Sequence, residues 1–226
     1  MRHVVNNAAP QRTILLFAPH PDDETLGCGG YVAQRIDAGD RVIIVVLTMG
    51  EKLFSHCLQI YSDPSPEQIR DMRREESQRA TAILGVAATD VVFWEYADLS
   101  IADNAVEITA RIAALLREFK AVEVLCTGPD EEHPDHRAAC SVVQRACAQA
   151  APGIALRWYI TALRAGLTID RLPLTVHPID ITKQLARKAQ AVAQFRAHLD
   201  IVSKQQAAPI VADFKQYLTG QEILLA

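Results

Sequence analysis

The chain has 226 residues, of which 50% are hydrophobic and 22% charged, and its formal net charge is −4. This length fits one large domain, so we expect a single domain over residues 1–226, with residues 1–11 as a flexible N-terminus. The slightly acidic balance, without any run of Lys or Arg, excludes a basic nucleic-acid binder.

Sequence features also set expectations about compartment and membrane. The apolar stretches are strand-sized and too short for a membrane span. The opening "MRHVVNNAAPQR" lacks the continuous apolar region of a signal peptide. Five cysteines without a C-x-x-C pair argue against a disulfide framework, so a reducing cytoplasm is the expected compartment.

Apolar strand-like runs alternate with helix-like periodicity along the chain. The predicted strands span 13–19, 41–49, 90–96, 121–128, 155–163 and 172–180, the last an edge strand because it contains Pro173 and Pro178. The predicted helices run from residue 25 to Gly39 and over 66–84, 105–119, 136–150, 181–198 and 206–218. This alternation predicts a Rossmann-like α/β fold, with a mostly parallel sheet flanked by helices.

The segment 50–65, "GEKLFSHCLQIYSDPS", has no clear periodicity. It follows the second predicted strand, at the edge where ligands bind in such sheets. We predict an irregular loop there and treat it as a candidate lid.

Two polar clusters follow predicted strands. They are "PHPDDE" at 19–24 and "HPDH" at 133–136, and a parallel sheet would bring both to the same edge. His20 and Asp23 are three residues apart, as are His133 and His136, so each pair can share one face of a helical turn. Two imidazoles and one carboxylate suit Zn²⁺, or alternatively Fe²⁺, with a position left open for water.

A spare carboxylate and a spare histidine remain in these clusters, Asp22 and His133. Such groups can accept a proton from water and stabilise an oxyanion or protonate a leaving amine.

Simpler interpretations exist for several of these residues. Capping of a helix could by itself explain Asp22 or Asp23. Glu24 could brace the loop or tune a ligand, and Arg73 could belong to a solvated helix face. The glycines of "LGCGG" miss the dinucleotide pattern and favour close helix packing. Packing is also favoured for Cys28 and Cys126 over a nucleophilic role, and a surface position for His56 over a lid contact; His198 is assigned no function.

The paired motifs resemble those of the PIG-L/LmbE family of metal-dependent N-deacetylases, which act on N-acetylglucosamine units. The similarity continues in "LGCGG", in "RREESQRATAILGV" (73–86), in "KAQAVAQFRAHLD" (188–200) and in "GQEILL" (220–225). It implies a small-molecule amino-sugar substrate.

The resemblance also implies roles for single residues. The metal ligands would be His20, Asp23 and His136, with Asp22 as the general base and His133 as the group that supports the oxyanion and assists the departing amine. The implied sugar contacts are Glu51, Arg73 and Asp98, and Asp135 could orient an imidazole through its second nitrogen.

Three positions depart from the family pattern. Met49 stands where many members have aspartate, Leu99 where glycine is common, and Phe195 where a His-x-Ser-Gln motif usually begins. Because of these departures, the sequence does not identify the substrate. The alternatives to an N-deacetylase are a metal hydrolase of another amide or ester and a catalytically silent sugar-binding protein. The protein could also form a homo-oligomer.

Overall fold

One seven-stranded sheet organises residues 12–226, which are the residues that the computed structural model describes. The expected flexible N-terminus, residues 1–11, lies outside the described residues. The strands are β1 (Thr13–Ala18), β2 (Arg41–Thr48), β3 (Val91–Tyr96), β4 (Glu123–Thr127), β5 (Ala155–Tyr159), β6 (Val176–Asp180) and β7 (Gln221–Leu225).

The strand order across the sheet is β3-β2-β1-β4-β5-β7-β6. The first five strands run parallel, and β7 is antiparallel to both of its neighbours. The predicted mostly parallel sheet is therefore confirmed, and β6, which contains Pro178, lies at its edge as predicted. Strand β7 was not predicted.

Helices cover both faces of this sheet. Within the described residues they are α1 (Asp23–Asp37), α2 (Leu53–Leu58), α3 (Pro66–Leu84), α4 (Ala105–Phe119), α5 (Pro134–Ala150), α6 (Leu185–Val192) and α7 (Arg196–Leu199). Successive side chains of a strand point to opposite faces. Accordingly Ile14 and Leu16 of β1 pack into one core with α1, α3 and α6, whereas Leu15 and Phe17 pack into a second core with α4 and α5. None of the described helices is long and apolar enough to cross a bilayer.

Three local predictions are wrong. The segment 206–218 forms no α-helix, because Pro209 lacks a backbone N–H and the Val211 N–H bonds to the distant carbonyl of His198 at 3.1 Å. The predicted helix 181–198 is split near Phe195, whose backbone leaves the helical region while its ring is buried. The segment 50–65 contains α2, which Phe54 anchors in a small apolar cluster, so it is not an irregular loop.

Helix α1 carries part of the polar cluster and is broken at Cys28, where φ is −148°. Nζ of Lys188 donates to the carbonyl of Leu26, before the break, at 2.8 Å. The carboxylate of Glu222 accepts the N–H of Gly30 and of the following residue, each at 2.7 Å, and pairs with Lys188. A buried ion pair thus supplies partners to both sides of the break.

Two glycines allow α1 to approach its neighbours. A Cβ on Gly27 would lie 2.3 Å from the Tyr159 ring, and one on Gly30 would lie 2.5 Å from Ile181. The interpretation of "LGCGG" as a close-packing motif is therefore confirmed.

Candidate active site and metal centre

The two polar clusters meet at the carboxyl edge of the sheet. Residues 19–24 join β1 to α1, residues 133–136 open α5 after β4, and β1 pairs directly with β4. They border a cavity of about 590 Å³, and side chains from α2, α3 and α7 complete its wall.

Three side-chain atoms converge at one point of this cavity. Nδ1 of His20 lies 3.2 Å from Nε2 of His136 and 3.3 Å from Oδ2 of Asp23, and the same oxygen lies 3.2 Å from Nε2 of His136. Adjacent ligands of a tetrahedral ion with bonds of about 2.0 Å lie about 3.3 Å apart, so this triangle fits a small divalent metal.

The second nitrogen of His20 faces two carboxylates. Nε2 lies 3.3 Å from Oδ1 of Asp98 and 3.6 Å from Oδ2 of Asp135. A carboxylate at Nε2–H keeps the proton there and leaves the Nδ1 lone pair for a metal. Asp135 thus lies where it can orient an imidazole, and Asp98, expected at the sugar, shares that position.

His136 is oriented in the same way by a buried acid. Its Nδ1 lies 3.3 Å from Oε2 of Glu131 and 3.2 Å from Oγ1 of Thr161. Glu131 also accepts the backbone N–H groups of Thr161 and Ala162, each at 2.8 Å. Burial lowers the pKa of His136, but Asp23 and Glu131 outweigh burial and raise it to about 9. The carboxylates around His136 therefore favour a positive charge at its ring.

Asp22 stands at the N-cap position of α1 in a strained conformation, with φ at 127°. Its side chain makes no capping hydrogen bond, so the capping interpretation is wrong for this residue. Instead Oδ2 accepts from Nη2 of Arg73 at 3.2 Å and lies 3.4 Å from Nε2 of His198. Burial raises the pKa of Asp22 to about 6, although Arg73 opposes the rise.

The Glu24 carboxylate stabilises the strained backbone of Asp22. Its Oε2 accepts the Asp22 N–H at 3.1 Å, and its Oε1 accepts the hydroxyls of Thr25 and Ser77. Burial raises the pKa of Glu24 to about 7. Of the two roles considered for Glu24, these contacts favour bracing the loop.

His133 stands at the N-cap of α5 in relaxed, extended backbone, with φ at −72°. Its Nδ1 accepts the Asp135 N–H at 3.2 Å. Its ring lies edge-on to that of His20, with the centroids 4.6 Å apart. Burial and the nearby imidazoles lower the pKa of His133 to about 4, so the neutral ring carries its hydrogen on Nε2.

Arg73 and Glu51 hold loops at the edge of the cavity. The Arg73 guanidinium lines the cavity but is only 4% exposed, and it donates to the carbonyls of Gly50 and Pro21 at 3.0 and 2.8 Å. Glu51 accepts the Asp98 N–H at 3.0 Å and is not among the residues that line the cavity.

Sequence reasoning missed Glu131 and His198. Glu131 lies in the acidic run "DEEHPDH", which was a visible signal. His198 lies three residues after Phe195, where the family motif fails, and the bend in the chain at Phe195 turns it toward Asp22. His56 is exposed, as predicted, and it also lines the cavity with its ring edge-on to His133.

The cysteines fit the packing interpretation. All five are free, and Cys28 and Cys126 are fully buried. Burial raises the pKa of both thiols well above the usual value, which disfavours a thiolate nucleophile.

The chain thus combines a mostly parallel α/β sheet with a candidate His/Asp metal site at the carboxyl edge of that sheet, which defines a candidate metal-dependent α/β enzyme. Residues 15–147 match the model of the PIG-L family, described as GlcNAc-PI de-N-acetylase, and the chain belongs to this family. The family is metal-dependent, and the resemblance read from the motifs is confirmed.

Individual relatives extend this result. A diacetylchitobiose deacetylase of Thermococcus kodakarensis is 29% identical over 131 residues, covering 57% of this chain and 46% of that protein. The chain spans about half the length of the curated relatives it matches.

Solved structures share the fold. The zinc-inhibited form of a teicoplanin deacetylase superposes with a TM-score of 0.71 at 17% identity, over 94% of this chain and 97% of that chain. A 4-carboxy-2-hydroxymuconate hydratase of Pseudomonas putida KT2440 superposes with a TM-score of 0.64 at 21% identity, over 82% and 79%. The fold therefore does not by itself determine the reaction.

Proposed function

We propose that this protein is a metal-dependent hydrolase that removes the acetyl group from an N-acetylglucosamine-type amino sugar or its conjugate. One observation carries the proposal: three ligand atoms 3.2–3.3 Å apart lie beside a carboxylate, Asp22, that makes no capping bond. Family membership and the diacetylchitobiose deacetylase relative support the same reaction.

Zn²⁺ is the metal we propose, with Fe²⁺ as the alternative, because two imidazoles and one carboxylate suit both ions. His20, Asp23 and His136 would hold it. When bound, such an ion polarises an amide carbonyl and lowers the pKa of water to near 7.

Asp22 is the proposed general base. Its described partners, Arg73 and His198, both contact Oδ2, so Oδ1 is left to accept the proton of the attacking water. A carboxylate with a pKa of about 6 can take this proton near neutral pH and return it to the departing nitrogen.

His133 is the proposed oxyanion partner. Because its Nδ1 accepts the Asp135 N–H, the hydrogen on Nε2 is available to the carbonyl oxygen as negative charge develops there. His133 is also the group that we propose to assist the departing amine, by donating from Nε2–H to the nitrogen when the C–N bond breaks.

Metal analysis combined with a free-amine assay tests the proposal. The purified protein should contain about one divalent ion per chain. A chelator should abolish release of glucosamine from N-acetylglucosamine, and Zn²⁺ or Fe²⁺ should restore it. Full activity after exhaustive removal of metal would overturn the metal-dependent mechanism.

A second candidate is a hydrolase of another amide or an ester, favoured by the departures from the family pattern at Met49, Leu99 and Phe195. A panel of acetylated amino sugars, simple amides and esters separates the two. A third is a silent sugar-binding protein, which would bind sugar and hydrolyse nothing in the panel.

A further inference from the structure

Leu99 holds a backbone conformation that is unfavourable for any residue with a Cβ. Its φ is +67°, in the left-handed region that glycine adopts freely. Leu99 lies in a turn closed by the Ser100 N–H, which donates to the carbonyl of Ala97 at 3.1 Å, and the buried Asp135 carboxylate accepts the Leu99 N–H at 2.7 Å and the Ile101 N–H at 3.3 Å. Glycine would satisfy the same bonds without strain, so the leucine side chain needs an explanation of its own.

The Leu99 side chain lines the active-site cavity and is 39% exposed. Single exposed apolar side chains are ordinary on protein surfaces. Among the exposed large apolar side chains of residues 12–226, however, Leu99 alone borders this cavity. Leu99 therefore combines a strained backbone with an exposed side chain at the active-site cavity.

Other apolar side chains also line the cavity: Leu53 and Cys57 of α2, Pro134 and Ala162. Its polar lining consists of the acids and imidazoles described above together with Lys52, Arg73 and Glu132. A plain amino sugar has hydroxyl groups that gain nothing from the apolar side chains. An alkyl or aromatic group would bury its area there against Leu99.

We propose that Leu99 is a specificity-determining residue whose side chain receives an aliphatic or aromatic group attached to the amino sugar. The inference rests on the proposed function and narrows its substrate class to amino sugars with an apolar substituent. That substituent is either the group at the anomeric carbon or, if a longer acyl group is released in place of acetyl, the chain of that acyl group.

Kinetics on three compounds test this: N-acetylglucosamine, its octyl glycoside and N-octanoylglucosamine. Leu99→Gly should lower the ratio of kcat/KM for one octyl compound to that for N-acetylglucosamine by about tenfold, the scale of one apolar contact in a pocket. The compound whose ratio falls identifies where the substituent lies. Ratios that stay within twofold for both octyl compounds would overturn the inference.

Two further variants separate apolar contact from loop order. Leu99→Asn tolerates the left-handed backbone but offers an amide, and it should lower the ratio as Leu99→Gly does. If only the glycine variant lowers it, the cause is loop order and the inference fails. Lys120→Gly is the matched control, because Lys120 is also left-handed, with φ at +48°, and lies outside the cavity. It should leave the ratio unchanged.

Calorimetry keeps this test distinct from the test of function. The wild-type protein should bind one of the octyl compounds, and Leu99→Gly should weaken that Kd about tenfold. Release of no amine from any compound would count against the proposed function alone. Equal Kd values for both proteins, or no binding by the wild type, would overturn the role of Leu99.

Discussion

The N-termini of α1 and α5 face the same cavity from neighbouring strands, but their first residues behave differently. His133 caps α5 through Nδ1 in relaxed backbone, whereas Asp22 begins α1 with φ at 127° and caps nothing. A histidine has two nitrogens, so it can cap with one and act with the other. A carboxylate used as a cap would accept helix N–H bonds that lower its proton affinity. The strained terminus leaves Asp22 free to accept a proton.

The largest expected effect tests the α1 side of this comparison. Asp22→Asn should retain metal and lower kcat by roughly 10²–10⁴-fold, because it removes a general base without changing shape. Because burial raises the pKa of Asp22 to about 6 and the amide oxygen of Asn can still accept from Arg73, loss of the charge should not lower the melting temperature near neutral pH. Asp213→Asn, at an exposed site, is the control for the substitution itself. Loss of metal from Asp22→Asn would show that the division of roles between Asp22 and Asp23 is wrong.

The α5 side should respond in both activity and stability. His133→Ala should lower kcat roughly 10²–10³-fold, as loss of an oxyanion donor does, and should cost about 1 kcal/mol of folding stability through the lost cap. His133→Ser restores a capping oxygen and should recover the stability but not the activity. Thermal melts and initial rates of the three proteins measure this, and equal stability of all three would contradict the capping role.

Displacing Arg73, which contacts Asp22 at the strained N-terminus of α1, should have a smaller effect on kcat. A Cβ on Gly50 would lie 1.7 Å from Nη1 of Arg73, so Gly50→Ala should push the guanidinium away from Asp22. We expect kcat to fall about tenfold with metal content unchanged, a modest loss typical of displaced positioning groups.

Gly153→Ala is the matched control for Gly50→Ala. Gly153 also has a positive φ, +86°, but nothing lies within 4 Å of its Cβ position. Gly153→Ala should lose only the stability that a positive φ costs, whereas Gly50→Ala should lose more because it also displaces the buried Arg73, and only Gly50→Ala should lose rate. Equal rates for the two would contradict the role of Arg73 in holding Asp22.

The smallest effect concerns a third helix N-terminus, that of α7. Oε1 of Glu76 accepts the Ala197 N–H at 2.8 Å, and burial raises the pKa of Glu76 from 4.5 to about 7. Between these values the folded state binds the proton more tightly than the unfolded state, so stability falls as pH rises.

Glu76→Gln removes this titration while keeping an acceptor for the Ala197 N–H. The melting temperature of the variant relative to wild type should rise from pH 4.5 to 7 and level off above pH 7. Glu75→Gln, on the exposed side of the same helix, controls for the substitution. A difference that is constant across this range would contradict the assignment.

The metal-ligand candidates could be predicted from sequence because they depend on topology. Strand–helix alternation predicts that both clusters lie at the carboxyl edge of the sheet, and the direct pairing of β1 with β4, which alternation does not specify, brings His20 and His136 together. The groups behind the ligands could not be predicted. Glu131 reaches His136 through the turn after β4, and His198 reaches Asp22 because the chain bends at Phe195. Hydrophobic periodicity and residue propensity do not predict turns and bends of this kind.

The break in α1 affects when, during synthesis of the chain, the site can reach its folded geometry. The helix that begins at Asp23 obtains its internal N–H acceptor from Glu222, and 192 positions separate this carboxylate from Gly30. The ribosome completes the whole "PHPDDE" motif long before it reaches β7. During that interval the second half of α1 has no acceptor for its first N–H groups. We therefore expect the site to reach its final geometry late in synthesis, well after the "PHPDDE" motif itself has been made.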